Sequence, residues 1–216
     1  METTFLIVDD HPLIRRGLKL LVESEPDYSV IGQAQNADEA QDLLTAVQPD
    51  ITLLDISLPG VSGLELIKAL LLKYPDLKIM VVSRHEETIF AERAIRAGAR
   101  AYVMKQNAGE VIHEAIKRVL QGGIYLSETL NRNMLLRMSG HIKSEIESVD
   151  LLSDRELEVF DLTGRGYSNK DIAKQLLISI KTVESYRVKI RNKLRLKKIK
   201  DLNTLAAEWV DRETVG

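Results

Sequence analysis

The chain of 216 residues contains no cysteine, which excludes disulfides, thiolate metal sites and cysteine catalysis and fits a reducing interior. No apolar run is long enough to span a bilayer, so no membrane role is expected. The opening Met1-Glu2-Thr3-Thr4 lacks the basic region of a secretory signal, and a cytoplasmic location is expected. Internal repeats and low-complexity segments are also missing. With 44% apolar and 29% charged residues, the composition is that of a folded chain rather than a disordered one.

The net charge of −2 hides an asymmetry. From Leu151 onward there are 14 basic against 10 acidic residues, so this part carries +4 and the first 150 residues carry −6. Arg187 to Lys200 holds eight basic residues and no acid. An acidic module joined to a basic one is implied, and a basic module of this kind suits nucleic acid.

The first part alternates between short apolar runs and helical patterns. Strands are expected at 5–8, 29–32, 51–54, 78–82 and 101–104, and helices at 12–23, 37–47, 63–74, 86–97 and 109–120. Five strand–helix units predict an α/β fold, a flavodoxin-like, doubly wound five-stranded parallel sheet. Ser127 to Met138 has helical spacing, and the polar stretch from Ser139 to Asp150 reads as a linker. The remainder is a small all-α four-helix domain. Its helices start at the caps Ser153, Ser168 and Ser179 and near Ile199. Two of them, joined by the tight turn Leu177-Ile178-Ser179, form a helix-turn-helix. The expected division is 1–124, a linker with a helix over 125–150, and 151–216.

The chemistry gathers at strand ends. Asp9 and Asp10 follow the first strand, Asp55 the third, Ser83 the fourth and Lys105 the fifth. Ligands of open α/β sheets bind at this edge. Each residue alone has an ordinary explanation: a helix cap for Asp9 or Asp10, a turn former for Asp55, a solvated lysine. Together they place three carboxylates at one edge, where mutual repulsion is relieved by a cation. An oxygen-rich site suits Mg²⁺, with Lys105 and the Ser83 hydroxyl left for a phosphoryl group. The implied chemistry is phosphoryl transfer onto an aspartate.

In the basic part, Lys181, Arg187, Lys189, Arg191 and Lys193 suit phosphate contacts. Glu184, Ser185 and Val188 suit base edges, Glu184 by accepting from a cytosine amino group. Val183, Ile190 and Leu194 read as core, and Leu202, Leu205, Ala206 and Trp209 form one stripe of the last helix.

Several motifs carry a family resemblance: Val8-Asp9-Asp10-His11, Leu54-Asp55 with Pro59-Gly60 and Gly63, Val82-Ser83, and Ala97-Gly98-Ala99 before Tyr102-Val103-Met104-Lys105. On these, residues 4 to about 122 resemble a response-regulator receiver domain. Leu152-Ser153-x-Arg155-Glu156, Gly166-Tyr167-Ser168-Asn169-Lys170-Asp171-Ile172-Ala173, Thr182-Val183-Glu184 and Lys193-Leu194 resemble a LuxR-type helix-turn-helix. The whole is similar to the NarL/FixJ class of two-component transcription regulators. The resemblance implies that Asp55 accepts a phosphoryl group from a sensor histidine kinase. It also implies that Asp10 and Asp55, with Asp9 through water and the Ser57 backbone carbonyl, hold Mg²⁺, and that Ser83 and Tyr102 form a switch pair. It adds Thr182 to the DNA-facing set and implies promoter DNA and a homodimer as partners of a regulator that is not an enzyme. Arg84 and Gln106 depart from the pattern, and Arg84 is expected to crowd the phosphoryl pocket. A haloacid-dehalogenase-type phosphatase would need a second acid two residues after Asp55, where Ser57 stands. A third reading is a regulator that dimerises without phosphate.

Overall fold

The computed structural model describes residues 2–138 and 149–215. Most of the linker expected over 139–150 lies outside the described residues. The chain divides into two compact units, Met1–Asn131 and Arg132–Gly216.

The first unit is a parallel sheet of β1 (Thr3–Val8), β2 (Tyr28–Ala34), β3 (Ile51–Leu54), β4 (Lys78–Ser83) and β5 (Ala101–Met104). Its order is β2-β1-β3-β4-β5, with every pairing parallel. The helices that link the strands are α1 (Pro12–Val22), α2 (Ala37–Ala46), α3 (Gly63–Lys73) and α4 (Glu87–Arg96), and α5 (Ala108–Leu120) follows β5. The flavodoxin-like α/β expectation is met. β3 is buried at all four residues because helices cover both faces of a parallel sheet. On one face Phe5, Ile7, Leu53, Met80 and Val103 pack with Leu18 and Val22 of α1 and Ile112, Ile116 and Val119 of α5. Each such side chain contributes roughly 1.5–3 kcal/mol on leaving water.

Local chemistry sets the connections. The Asn36 side chain caps α2 by accepting from the Glu39 N–H at 2.9 Å. At Gly63 a Cβ would stand 2.2 Å from the Ile56 Cα, so only glycine lets α3 start against the loop after β3. β2 is longer than expected because its pairing with β1 carries it through the exposed Gln33, which interrupts the apolar signal. Beyond α5, Tyr125 forms a parallel bridge to Ala101 on the outer side of β5. Next comes α6 (Glu128–Met138), whose cap Ser127 accepts from the Leu130 N–H at 3.1 Å and donates to Glu87.

The second unit contains α7 (Asp154–Gly164), α8 (Asn169–Gln175), α9 (Ile180–Lys193) and α10 (Ile199–Val215). Ser153 and Glu156 form a reciprocal capping box on α7, while Ser168 and Ser179 cap α8 and α9. α7 ends at Gly164. A Cβ there would fall 2.3 Å from the Ala206 carbonyl oxygen, so glycine allows α7 and α10 to approach. α10 runs to Val215, since no glycine or proline interrupts it before Gly216. Phe160 and Trp209 meet with ring centroids 5.3 Å apart, within a core that includes Leu157, Ile172, Val183, Ile190, Leu202 and Ala206.

Candidate functional site

β1 and β3 are adjacent, so their carboxyl ends bring Asp9, Asp10 and Asp55 to one place. Asp9 and Asp55 are each 1% exposed. Lys105 follows β5, two strands away from β3, and its long stem crosses that distance. Its ammonium lies 2.5 Å from Asp55 Oδ2 and 2.6 Å from Asp9 Oδ2. Asp55 Oδ1 accepts from the Ser57 N–H at 3.0 Å, and Asp9 Oδ1 from the His11 N–H at 2.8 Å. The Arg15 guanidinium donates to the Asp9 carbonyl, which ties α1 to the end of β1.

One ammonium thus serves two buried carboxylates, with Asp10 beside them. Burial pushes the Asp9 carboxyl up, the Asp55 charge pushes it further, and Lys105 opposes both. One ligand atom from each of Asp9, Asp10, His11 and Asp55 lies within 4.8 Å of the others. An oxygen-rich cluster with surplus negative charge fits a hard divalent cation. The Ser57 hydroxyl is buried without a hydrogen-bond partner among the described residues.

His11 was part of a sequence motif but had no role assigned. Its Nδ1 stands 2.6 Å from Asp10 Oδ1 and 3.4 Å from Asp9 Oδ1. His85 was missed altogether. Its N–H donates to Ser83 Oγ at 3.1 Å and its carbonyl accepts from the Tyr102 hydroxyl at 3.0 Å. One backbone unit therefore joins the two residues of the expected switch pair, both of them buried. The His85 ring also meets Phe90 of α4, centroids 4.5 Å apart. Arg84 is exposed.

On α9, Lys181, Glu184, Ser185, Val188 and Lys189 are exposed, and Thr182 and Arg191 half-buried. Thr182 Oγ1 is 2.7 Å from the cap hydroxyl of Ser179, and the Lys189 ammonium lies 5.5 Å from the centre of the Tyr186 ring. One basic residue departs from the expected phosphate-facing set. Arg187 is buried among α7, α9 and α10, where Thr163 and Asn203 accept its hydrogen bonds. The 4- and 3-residue spacings from Val183 to Arg187 to Ile190 put it on the inner face of the helix. Lys193 pairs with Glu156 Oε2 at 2.6 Å and donates to the Leu151 carbonyl at 3.1 Å.

Two family models match. Residues 5–117 match the response regulator receiver domain, and residues 150–206 the bacterial regulatory proteins of the luxR family. The nitrate/nitrite response regulator protein NarL of Escherichia coli K12 is 33% identical over 214 residues, covering 98% of this chain and 96% of NarL. The transcriptional regulatory protein DegU of Brevibacillus brevis is 32% identical over 205 residues, covering 88% and 87%. A two-component response regulator of the LuxR family from Aurantimonas superposes with TM-score 0.60 at 30% identity, over 64% of this chain and 99% of that one. RcsB of Salmonella enterica serovar Typhimurium, solved on promoter rprA with the phosphomimetic BeF₃⁻, shares the fold: TM-score 0.66 at 24% identity, over 96% and 99%. No helix among the described residues is long and apolar enough to cross a membrane.

Proposed function

This chain belongs to the response regulators, a receiver domain followed by a luxR-family region, and on that premise we propose that phosphorylation of Asp55 controls its binding to promoter DNA. The supporting observation is the shared ammonium of Lys105, within 2.6 Å of the buried carboxylates of Asp9 and Asp55. An Asp55 carboxylate oxygen attacks the phosphorus of a sensor kinase's phosphohistidine. The new O–P bond forms as the P–N bond breaks, and the electron pair leaves on the imidazole nitrogen, which takes up a proton. Lys105 then exchanges part of its contact with Asp55 for a phosphoryl oxygen. Ser83 donates its hydroxyl to another, turning from the His85 N–H, and through the His85 carbonyl the change reaches Tyr102.

Asp9, Asp10 and Asp55, with the Ser57 backbone carbonyl, would hold Mg²⁺. When bound, it supplies positive charge for the phosphoryl oxygens. The phosphoryl-accepting domain is assigned to 1–124, the linker to 125–150 and the DNA-binding domain to 151–216. On α9, Lys181, Thr182, Lys189 and Arg191 meet phosphates while Glu184, Ser185 and Val188 face bases. A homodimer on DNA is assigned because one short helix reads too few bases for useful specificity. The protein acts in the cytoplasm as a regulator rather than an enzyme.

The first test is intact mass after incubation with acetyl phosphate and Mg²⁺. Wild type should gain one phosphoryl group, and Asp55→Ala none. Absence of the gain, together with an oligomeric state unmoved by beryllium fluoride, would replace this reading with a phosphate-independent regulator.

A further inference from the structure

Arg187 is 9% exposed, yet its two hydrogen-bond partners among the described residues are neutral. Its Nη1 donates to Thr163 Oγ1 at 3.4 Å, in the last turn of α7, and its Nη2 to Asn203 Oδ1 in the second turn of α10. The Thr163 hydroxyl donates in turn to the Val159 carbonyl at 2.7 Å, which leaves its oxygen as the acceptor for Arg187. Burial pushes the guanidinium's pKa down. A buried cation with neutral partners carries a desolvation cost that no opposite charge offsets. The guanidinium's distinctive contribution is direction. Its planar fork holds α9 to two other helices at once and so fixes the rotation of α9 about its own axis. That rotation matters, because a turn of about 20° swings a side-chain tip by roughly 2 Å at a radius of about 5 Å. Such a shift is enough to lose a hydrogen bond to a base edge.

We propose that Arg187 is a positioning residue for sequence reading, setting the angle at which Glu184, Ser185 and Val188 meet the bases while touching no DNA itself. The inference rests on the DNA-binding role proposed above. Neither a solvated lysine-like role nor a phosphate contact fits a guanidinium enclosed by three helices.

The test uses the full chain, with Mg²⁺ and beryllium fluoride present throughout, and two probes: duplexes that wild type selects from a random-centre pool, and a random-sequence duplex of equal length. Affinities are measured between 50 and 200 mM salt. Arg187→Met should lower the selected-to-random affinity ratio at least tenfold, and Asn203→Ala should lower it severalfold. In both, the salt dependence on the random duplex should stay at the wild-type slope. Lys189→Ala, which removes an exposed lysine, should reduce that slope by about 0.9. Far-UV circular dichroism confirms that each variant is folded, and Asn203→Ala carries the test if Arg187→Met is not. A slope reduced in Arg187→Met as in Lys189→Ala makes Arg187 a phosphate contact and overturns the proposal. A ratio unchanged in the folded variants overturns it as well. If wild type binds neither probe, the DNA-binding reading itself fails and the inference goes with it.

Discussion

The two units handle buried carboxylates in opposite ways. Among the described residues of the helical unit each buried carboxylate has a basic partner: Glu158 with Arg155 at 2.6 Å, Asp161 with Arg165 at 3.0 Å and Glu156 with Lys193 at 2.6 Å. At the sheet edge two buried carboxylates share Lys105, and a third stands beside them. Matched charges hold helices in place. Surplus charge of one sign costs stability and calls for a further cation, so the imbalance marks the place for chemistry.

The largest expected effect breaks a matched pair. Arg155→Met removes the guanidinium from Glu158 and the donor from the Leu176 carbonyl, which Arg155 reaches at 2.7 Å. It should cost about 3 kcal/mol in urea unfolding, with no recovery on adding Mg²⁺. A smaller effect separates the units by pH. Asp9, its pKa raised by burial and by Asp55, contributes stability that is full below its unfolded value and lost as pH rises through the folded one. Asp9→Asn should therefore stabilise the metal-free protein at pH 7 by about 1 kcal/mol, and the gain should vanish on acidification. Glu156 has the opposite sign. Burial pushes it up, but Lys193 and Ser153 together hold it below the usual carboxylate range. Its contribution is present above the unfolded pKa and lost as pH falls through the folded one. Glu156→Gln should cost about 1 kcal/mol at pH 7 and nothing in strong acid. Urea titrations across pH, followed by hydrogen exchange in each unit, would show whether the two slopes oppose. The smallest effect is at Arg84. Arg84→Ala should change stability by less than about 0.5 kcal/mol and leave phosphoryl uptake intact. Loss of uptake would mean that this exposed side chain belongs to the site after all.

The sequence was most legible where one physical cause dominated. Ile51-Thr52-Leu53-Leu54 is buried on both faces and reads as a central parallel strand, which puts Asp55 at its end. Once the strand ends were known, Asp9, Asp10 and Lys105 followed from the sheet order. His85 was hidden because it acts through its N–H and carbonyl, which no residue type announces. Arg187 was misjudged for a different reason. Counting charge over 187–200 treated the run as one surface, although the helical spacing of Val183, Arg187 and Ile190 already pointed it inward. Its partner Asn203 lies 16 residues away on another helix, a pairing that only tertiary packing reveals.

The rung at Tyr125 also guards the outer edge of the sheet. Tyr125 donates its N–H to the Arg100 carbonyl at 2.9 Å, and its own carbonyl accepts from the Tyr102 N–H at 3.2 Å. A sheet rim usually offers unpaired amides as a template for foreign strands. Here the chain has laid its own backbone along that rim, so a second copy extending the sheet at β5 would first have to evict Tyr125. The start of the rim is thus already taken, and a strand added at Ala101 would compete with the chain's own Tyr125.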